Sequence, residues 1–368
     1  MIGASIACHL AEAGVDVVLL EAHQLGGGST CKAAGGVRAS FSDPVNVAMG
    51  RRGLEVYGTF RERYGQDIDF TRYGYLYCLE DQASLDAFAE CADVQRRSGV
   101  TSFIVDPEEA AQLSPLANPA SMLAALWSPD DARATPESVV AGYAAVARRL
   151  GARIVSGVRV TDIDVSGGDI RQIVTTAGTI RTSTVICAAG AWSAEVGRMV
   201  GVPLPVTPSR RVIAFTEPIY GRPRPWPLTV SFPSTFYFHP EGLGLAFGWS
   251  DPDEPDGSDL TLDLPGWIER VGPHLARTAP ELLERGVARA WAGLYENTPD
   301  HNQIIGRSRQ VPGFLYATGF SGHGFLMAPA TGEIVRDLLL GRTPSYDVTG
   351  LDVERFDLAS AHAERNII

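Results

Sequence analysis

The chain has 368 residues, 45% apolar and 20% charged, enough for two domain-sized cores and ordinary for a globular protein. With 31 basic and 43 acidic residues its net charge is −12, which argues against a nucleic-acid or anionic-membrane partner. No window approaches the apolar run of roughly 18 residues that a membrane span needs, and the first residues lack the basic region of a signal peptide.

In chain order, residues 3–13 predict a helix and 15–21 a buried parallel strand of continuous apolar character. Residues 24–36 form a loop so rich in Gly, Ser and Ala that it must bring backbone close to something. Asp43-Pro44 opens a predicted helix over 43–64. Strand alternation marks 73–79, and helices are expected over 81–97 and from 106 to 113. A helix from Thr135-Pro136-Glu137 to Leu150 precedes a strand over 152–158, and 185–190 is an apolar strand ending in small residues. Antiparallel strands are predicted over 210–216, 234–239 and 243–249, with Pro240-Glu241-Gly242 as a turn. The Asp/Pro-rich stretch 251–257 reads as a surface loop, and strand-helix signals return from Gly313 to Leu340. Parallel, nucleotide-type segments thus fall at the start, middle and end, with antiparallel segments between them. The expected fold is α/β: a Rossmann-like domain of residues 1–73, 135–206 and 288–345, interwoven with a mainly antiparallel α+β part of 74–134 and 207–287, followed by a tail of 346–368.

Two stretches carry chemistry. Gly3 and Glu21 are spaced like the last glycine of a dinucleotide-binding unit and the acid that accepts hydrogen bonds from ribose hydroxyls. By itself that spacing is weak, since strands often end in Glu. The loop GGGSTCKAAGGVR (Gly26–Arg38) exposes backbone N–H groups suited to phosphate, and Lys32 adds a positive charge. A flexible surface loop is the plainer reading, but such linkers seldom carry Lys and Arg at the edges of an Ala/Gly core.

GST-x-K-AAGGVRASFSDP resembles the flavin-binding loop of the glycine/D-amino-acid oxidase (DAO) family of FAD-dependent oxidoreductases, nearest to sarcosine oxidase β-subunits and amino-acid dehydrogenase subunits. VICAAGAWS (185–193), WAGLYENTPDHNQIIG (291–306), YATGFSGHGFLMAP (316–329) and LDVERF (351–356) resemble further family motifs in the same order. The resemblance implies non-covalent FAD held by Gly3, Glu21, Gly28, Ser29, Thr30, Lys32, Ala33, Ala34, Gly35, Gly36, Val158, Ala189, Gly190, Trp192, Gly319, Gly322, His323, Gly324, Phe325 and Leu326. A helix expected to begin near Ala328 would aim its N-terminal dipole at the flavin. The family motif opens with a strand and two glycines that lie before Met1. The expectation is a start placed inside the motif, with on the order of 15 residues encoded upstream; the alternative is a true truncation.

The implied reaction is oxidation of a C–N bond in an amine or amino acid, sarcosine- or proline-like or of the D-series, by hydride transfer to flavin N5. Arg38 is the expected carboxylate holder, since a guanidinium fork suits that group, although a phosphate-facing or surface role has equal standing. Tyr237 and His239 share a strand face and would line the far wall, or simply form a half-buried aromatic strand. His323 completes the expected catalytic set. A lysine of simple sarcosine oxidases is replaced by Leu326, and their flavin-linking cysteine by Gly293; both changes favour a dehydrogenase with unlinked flavin. No metal is expected: Cys8, Cys31, Cys78, Cys91 and Cys187 are scattered, which also points to a reducing cytoplasm. An electron acceptor or partner subunits are further expectations of the resemblance. Competing readings are a non-catalytic flavin-binding subunit or assembly factor, and a degenerate relative.

Overall fold

The computed structural model describes residues 1–221, 225–357 and 363–366. Parallel strands from the start, middle and end of the chain build one layer of two small sheets. Val18–Glu21 pairs in parallel with Arg153–Ser156, and Val185–Cys187 pairs in parallel with Phe314–Thr318, whose other edge takes Ile304–Arg307 antiparallel. The helix Ile2–Glu12 lies over this layer, between Pro136–Arg149 and Gly324–Leu339. Small residues permit that approach. A Cβ added at Gly332 would lie 2.4 Å from His9 Nδ1 and 2.6 Å from Ser5 Oγ, and Ser5 Oγ donates to the Ala328 carbonyl at 2.7 Å. At Gly3 an added Cβ would come within 3.2 Å of Leu19 and 3.7 Å of Ala188, so the helix start touches both strand pairs.

The second layer is an eight-stranded sheet in the order Val287–Asn297, Thr207–Thr216, Gly244–Trp249, Tyr237–Glu241, Leu228–Phe232, Tyr75–Leu79, Ala124–Ser128, Phe103–Val105. Every neighbouring pair is antiparallel except Leu228–Phe232 with Tyr75–Leu79. Period-two alternation sorts YLYCL between two cores. Leu76 and Cys78 face the helix Leu264–Thr278, while Tyr75, Tyr77 and Leu79 join Tyr237, Ile213, Phe215 and Phe232 on the opposite face. That second face receives the glycine-rich loop through Ala34. The strand Val287–Asn297, which begins where the nucleotide-type part was expected to resume, is hydrogen-bonded along its length in this large sheet.

Three local expectations are corrected. The helix over 43–64 divides at Thr59 into Pro44–Gly58 and Phe60–Tyr64. The turn placed at 240–242 sits one step later: Pro240 and Glu241 pair with Leu245 and Gly244, and Gly242 turns with φ of +54°. The helix expected near Ala328 starts at Gly324, leaving Pro329 inside it. Proline cannot donate to the carbonyl four residues back, that of Phe325. Tyr57 OH donates to that carbonyl at 2.7 Å, which removes the penalty of a buried unpaired acceptor.

Candidate active site

Arg38 lies where the two layers meet. It follows the short strand Gly36–Val37, and its side chain is buried, 2% exposed. Nη1 donates to the Ser40 carbonyl at 2.9 Å, Nη2 donates to the Asn366 carbonyl at 2.5 Å, and Nη2 also reaches His323 Nε2 at 3.1 Å. The guanidinium stacks over Phe41, 4.0 Å from the ring centre. Arginine has no acceptor, so Nε2 of His323 must accept and Nδ1 must carry the proton. Burial, with Arg38 and His301 beside it, holds His323 well below the usual imidazole range. It is a neutral ring whose buried Nδ1–H has no partner among the described residues.

Asp131 stands behind Arg38. It is fully buried and accepts from Ala39 N and Ser40 Oγ, both at 2.8 Å. Ser40 Oγ in turn lies 2.5 Å from Tyr77 OH, and Tyr77 OH is 3.5 Å from Arg38 Nη1. Burial pushes the Asp131 carboxyl up to about 6, against the hydrogen bonds and the Arg38 charge that pull it down. A carboxyl raised in the folded state contributes stability below its unfolded value near 4, and that contribution fades as pH rises through 6. Asp131→Asn should therefore gain on the wild type by on the order of 3 kcal/mol between about pH 4 and 6. Melting temperatures of both proteins across that window test this, and a constant gap would refute it.

The tail packs onto the same place. Glu364 accepts from Ser42 N and Oγ, Asp43 N and Asn46 Nδ2, and so covers the start of the helix Pro44–Gly58. Asn366 Nδ2 donates to the Ser40 carbonyl. The Asn366 carbonyl thus meets Arg38 as a carboxylate oxygen would.

Of the two residues expected on the far wall, Tyr237 joins Tyr295, Tyr75 and Arg211 as electrostatic neighbours. His239 stacks parallel to it at 6.5 Å but sits beside Arg133. Its Nδ1 is held by the Pro240 carbonyl, and Nε2 is buried without a partner among the described residues. A recess of about 370 Å³ lined by Tyr73, Arg133, Pro225, Pro240 and Gly242 opens at this end of the sheet, away from Arg38.

The expected nucleotide residues gather at the seam between strand pairs. Glu21 ends its strand with Oε1 on His23 N, and the Val158 amide donates to the Glu21 carbonyl. The Met1 amino group donates to Thr30 Oγ1, Ser29 Oγ to the Leu294 carbonyl, and Trp291 Nε1 to the Lys32 carbonyl. Gly190, Gly319 and Gly322 all hold positive φ. Glu296, which the motif reading did not single out, is half-buried and accepts from Thr318 Oγ1 and from the Gly319 and Phe320 amides; desolvation raises its carboxyl. It fixes the GFSGHGF turn from beneath, and only the turn's structure could identify it.

A flavin dinucleotide fits this seam on two observations. All of Val18–Glu21, together with Ile186 and Ala188–Gly190, is only half-buried, which leaves apolar surface beside the carboxylate that ends the strand. At the other end the buried donor of His323 waits beside positive-φ glycines.

Among known proteins, the model of a family described as "FAD dependent oxidoreductase" (DAO) matches residues 1–338. The chain is 28% identical to 4-methylaminobutanoate oxidase (formaldehyde-forming) of Paenarthrobacter nicotinovorans over 97% of its own length and 44% of that protein. It is 27% identical to mitochondrial dimethylglycine dehydrogenase of Homo sapiens over 96% and 43%. The chain therefore spans less than half the length of these curated relatives. L-proline dehydrogenase from P. horikoshii superposes with a TM-score of 0.92 at 31% identity, covering 98% of this chain and 96% of that one. Glycine oxidase from Geobacillus kaustophilus shares the fold, with a TM-score of 0.84 at 23% identity.

Proposed function

Because the chain belongs to the DAO family of FAD-dependent oxidoreductases, we propose that it oxidises the C–N bond of an amine or amino acid, sarcosine- or proline-like or of the D-series, as a dehydrogenase. One observation carries the reading. A buried guanidinium without an ion-pair partner among the described residues touches a neutral histidine of the GFSGHGF turn. A buried cation that no carboxylate neutralises is suited to a substrate carboxylate, which would stand where the Asn366 carbonyl now meets the fork, beside the turn. When bound, FAD supplies the hydride acceptor. Arg38 holds the carboxylate, His323 Nδ1–H donates toward the cofactor, Tyr237 and Tyr295 close the opposite wall, and the tail together with the aromatic face excludes water.

Gly3, Glu21, Val158, Ala189, Gly190, Trp192 and the loop residues Gly28–Thr30 and Lys32–Gly36 hold the dinucleotide, and Gly319, Gly322, Gly324, Phe325 and Leu326 approach its ring. Glu21→Ala should weaken FAD retention about tenfold, the scale of a charged hydrogen bond, without changing the spectrum of what stays bound. Dialysis followed by absorbance measures it, and unchanged retention removes Glu21 from the site. The flavin is unlinked: an added Cβ at Gly293 would lie 2.7 Å from Lys32 Cβ, and no sulfur is attached there. Acid precipitation should leave all yellow colour in the supernatant.

Oxidation is tested by adding N-methyl and cyclic amino acids to the FAD-loaded protein under anaerobic conditions. Bleaching of the flavin is expected with at least one; a spectrum unmoved by any of them favours the non-catalytic subunit. An acceptor other than oxygen fits the apolar Leu326-Met327 pair, both buried. The five cysteines are free, and four of them are buried, which suits a reducing cytoplasm. No helix among the described residues is long and apolar enough to cross a membrane.

A further inference from the structure

A second guanidinium faces the same cluster. Along the pairing of Thr207–Thr216 with Val287–Asn297, Ser209 opposes Tyr295, Arg211 opposes Gly293 and Ile213 opposes Trp291. Directly opposed residues share a face. Ile213 and Trp291 pack with Tyr75, Tyr77 and Tyr237, so Arg211 and Tyr295 project toward the side that carries Arg38.

The Arg211 guanidinium rests over the Tyr295 ring, 5.2 Å from its centre. Nη1 donates to Ser209 Oγ at 2.6 Å and to the Arg210 carbonyl at 2.8 Å. Among the described residues, Nε is buried without a hydrogen-bond partner and no carboxylate lies within ion-pair distance. Tyr237 and His301 are its polar neighbours, and Tyr295 has both Arg211 and Arg38 as charged neighbours. The ring of Tyr295 also lies against Gly322 of the GFSGHGF turn, where an added Cβ would meet it at 2.5 Å. Two cations without carboxylate partners therefore flank one aromatic residue of the site. Two hydrogen bonds and the Tyr295 ring hold the half-buried Arg211 guanidinium in place but leave its charge without a counter-ion, which a bound anion would supply.

We infer that Arg211 takes a second acidic group, so that the substrate is an amino acid bearing two carboxylates, an iminodicarboxylate or one with an acidic side chain. This rests on the assignment of Arg38 to the first carboxylate.

Succinate and propionate, which lack an amine and cannot react, separate the two assignments when titrated calorimetrically into the FAD-loaded protein. Succinate should bind at least about tenfold more tightly than propionate. Arg211→Met should erase that advantage while leaving propionate affinity and FAD content as they were, and Arg211→Lys should keep part of it. Equal affinity for the two acids, no measurable succinate binding, equal losses for both in Arg211→Met, or loss of FAD from that variant would each overturn the inference. If instead Arg38→Met keeps its propionate affinity while the succinate advantage still depends on Arg211, only the assignment of Arg38 fails.

Discussion

Arg38→Met should lower kcat/KM for an amino-acid substrate by about a hundredfold or more, with most of the change in KM. The fork now donates to two carbonyls and to His323, and it is sealed from water by Phe41 and the tail. Truncating one partner of a buried, charged hydrogen-bonded pair costs about 2–5 kcal/mol, and each 1.4 kcal/mol is tenfold. Methionine keeps much of the stem's volume, so packing against Phe41 survives and the loss reports the charge and its geometry. Arg38→Lys should rescue little. A lysine ammonium is a point charge and cannot span the Ser40 carbonyl, His323 and a carboxylate from one plane. Steady-state kinetics with flavin content measured in parallel decides the matter: an unchanged KM at full flavin occupancy would return Arg38 to a structural role.

Asp300→Ala should cost about 3–5 kcal/mol of stability, the range for an ion left alone in a protein interior. Asp300 and Arg355 are 5% and 4% exposed and meet through two contacts, Oδ2 to Nε at 2.7 Å and Oδ1 to Nη2 at 3.0 Å. Arg355 also donates to the Asn302 and Leu351 carbonyls, and Asp300 also accepts from Thr298 Oγ1 and Asn302 N. The pair joins the TPD motif to the RF motif and holds the tail's approach to the site. At about 2 °C per kcal/mol for a chain of this size, the melting temperature should fall by roughly 6–10 °C. The double variant Asp300→Leu/Arg355→Met should recover part of the loss, because removing both ions leaves neither unpaired. Equal instability of single and double variants would mean that the hydrogen bonds to backbone, and not the charge pair, dominate.

Local order is legible in the sequence alone. The apolar run ending at Glu21, the alternation of YLYCL and the Pro-started helices at Pro44, Pro107 and Pro136 obey periodicities and cap chemistry that act within a few residues. The same holds for Gly293, since no arrangement of neighbours can lend it a sulfur. Motif order was equally legible, because the flavin-type loop and the GFSGHGF turn are contiguous stretches. What stayed hidden depends on packing between distant segments. Asp131 lies 92 residues from the Ala39 amide it accepts from, and Asn366 lies 328 residues from Arg38. Arg211 is only one of several arginines on strands until the pairing with Val287–Asn297 turns it onto the Tyr295 face. The helix expected to begin near Ala328 starts earlier, and Tyr57, brought in by another helix, takes the carbonyl that Pro329 leaves without a donor. Sequence patterns specify which face of an element is apolar, but the partner for each buried polar group is chosen by the close packing of the whole chain.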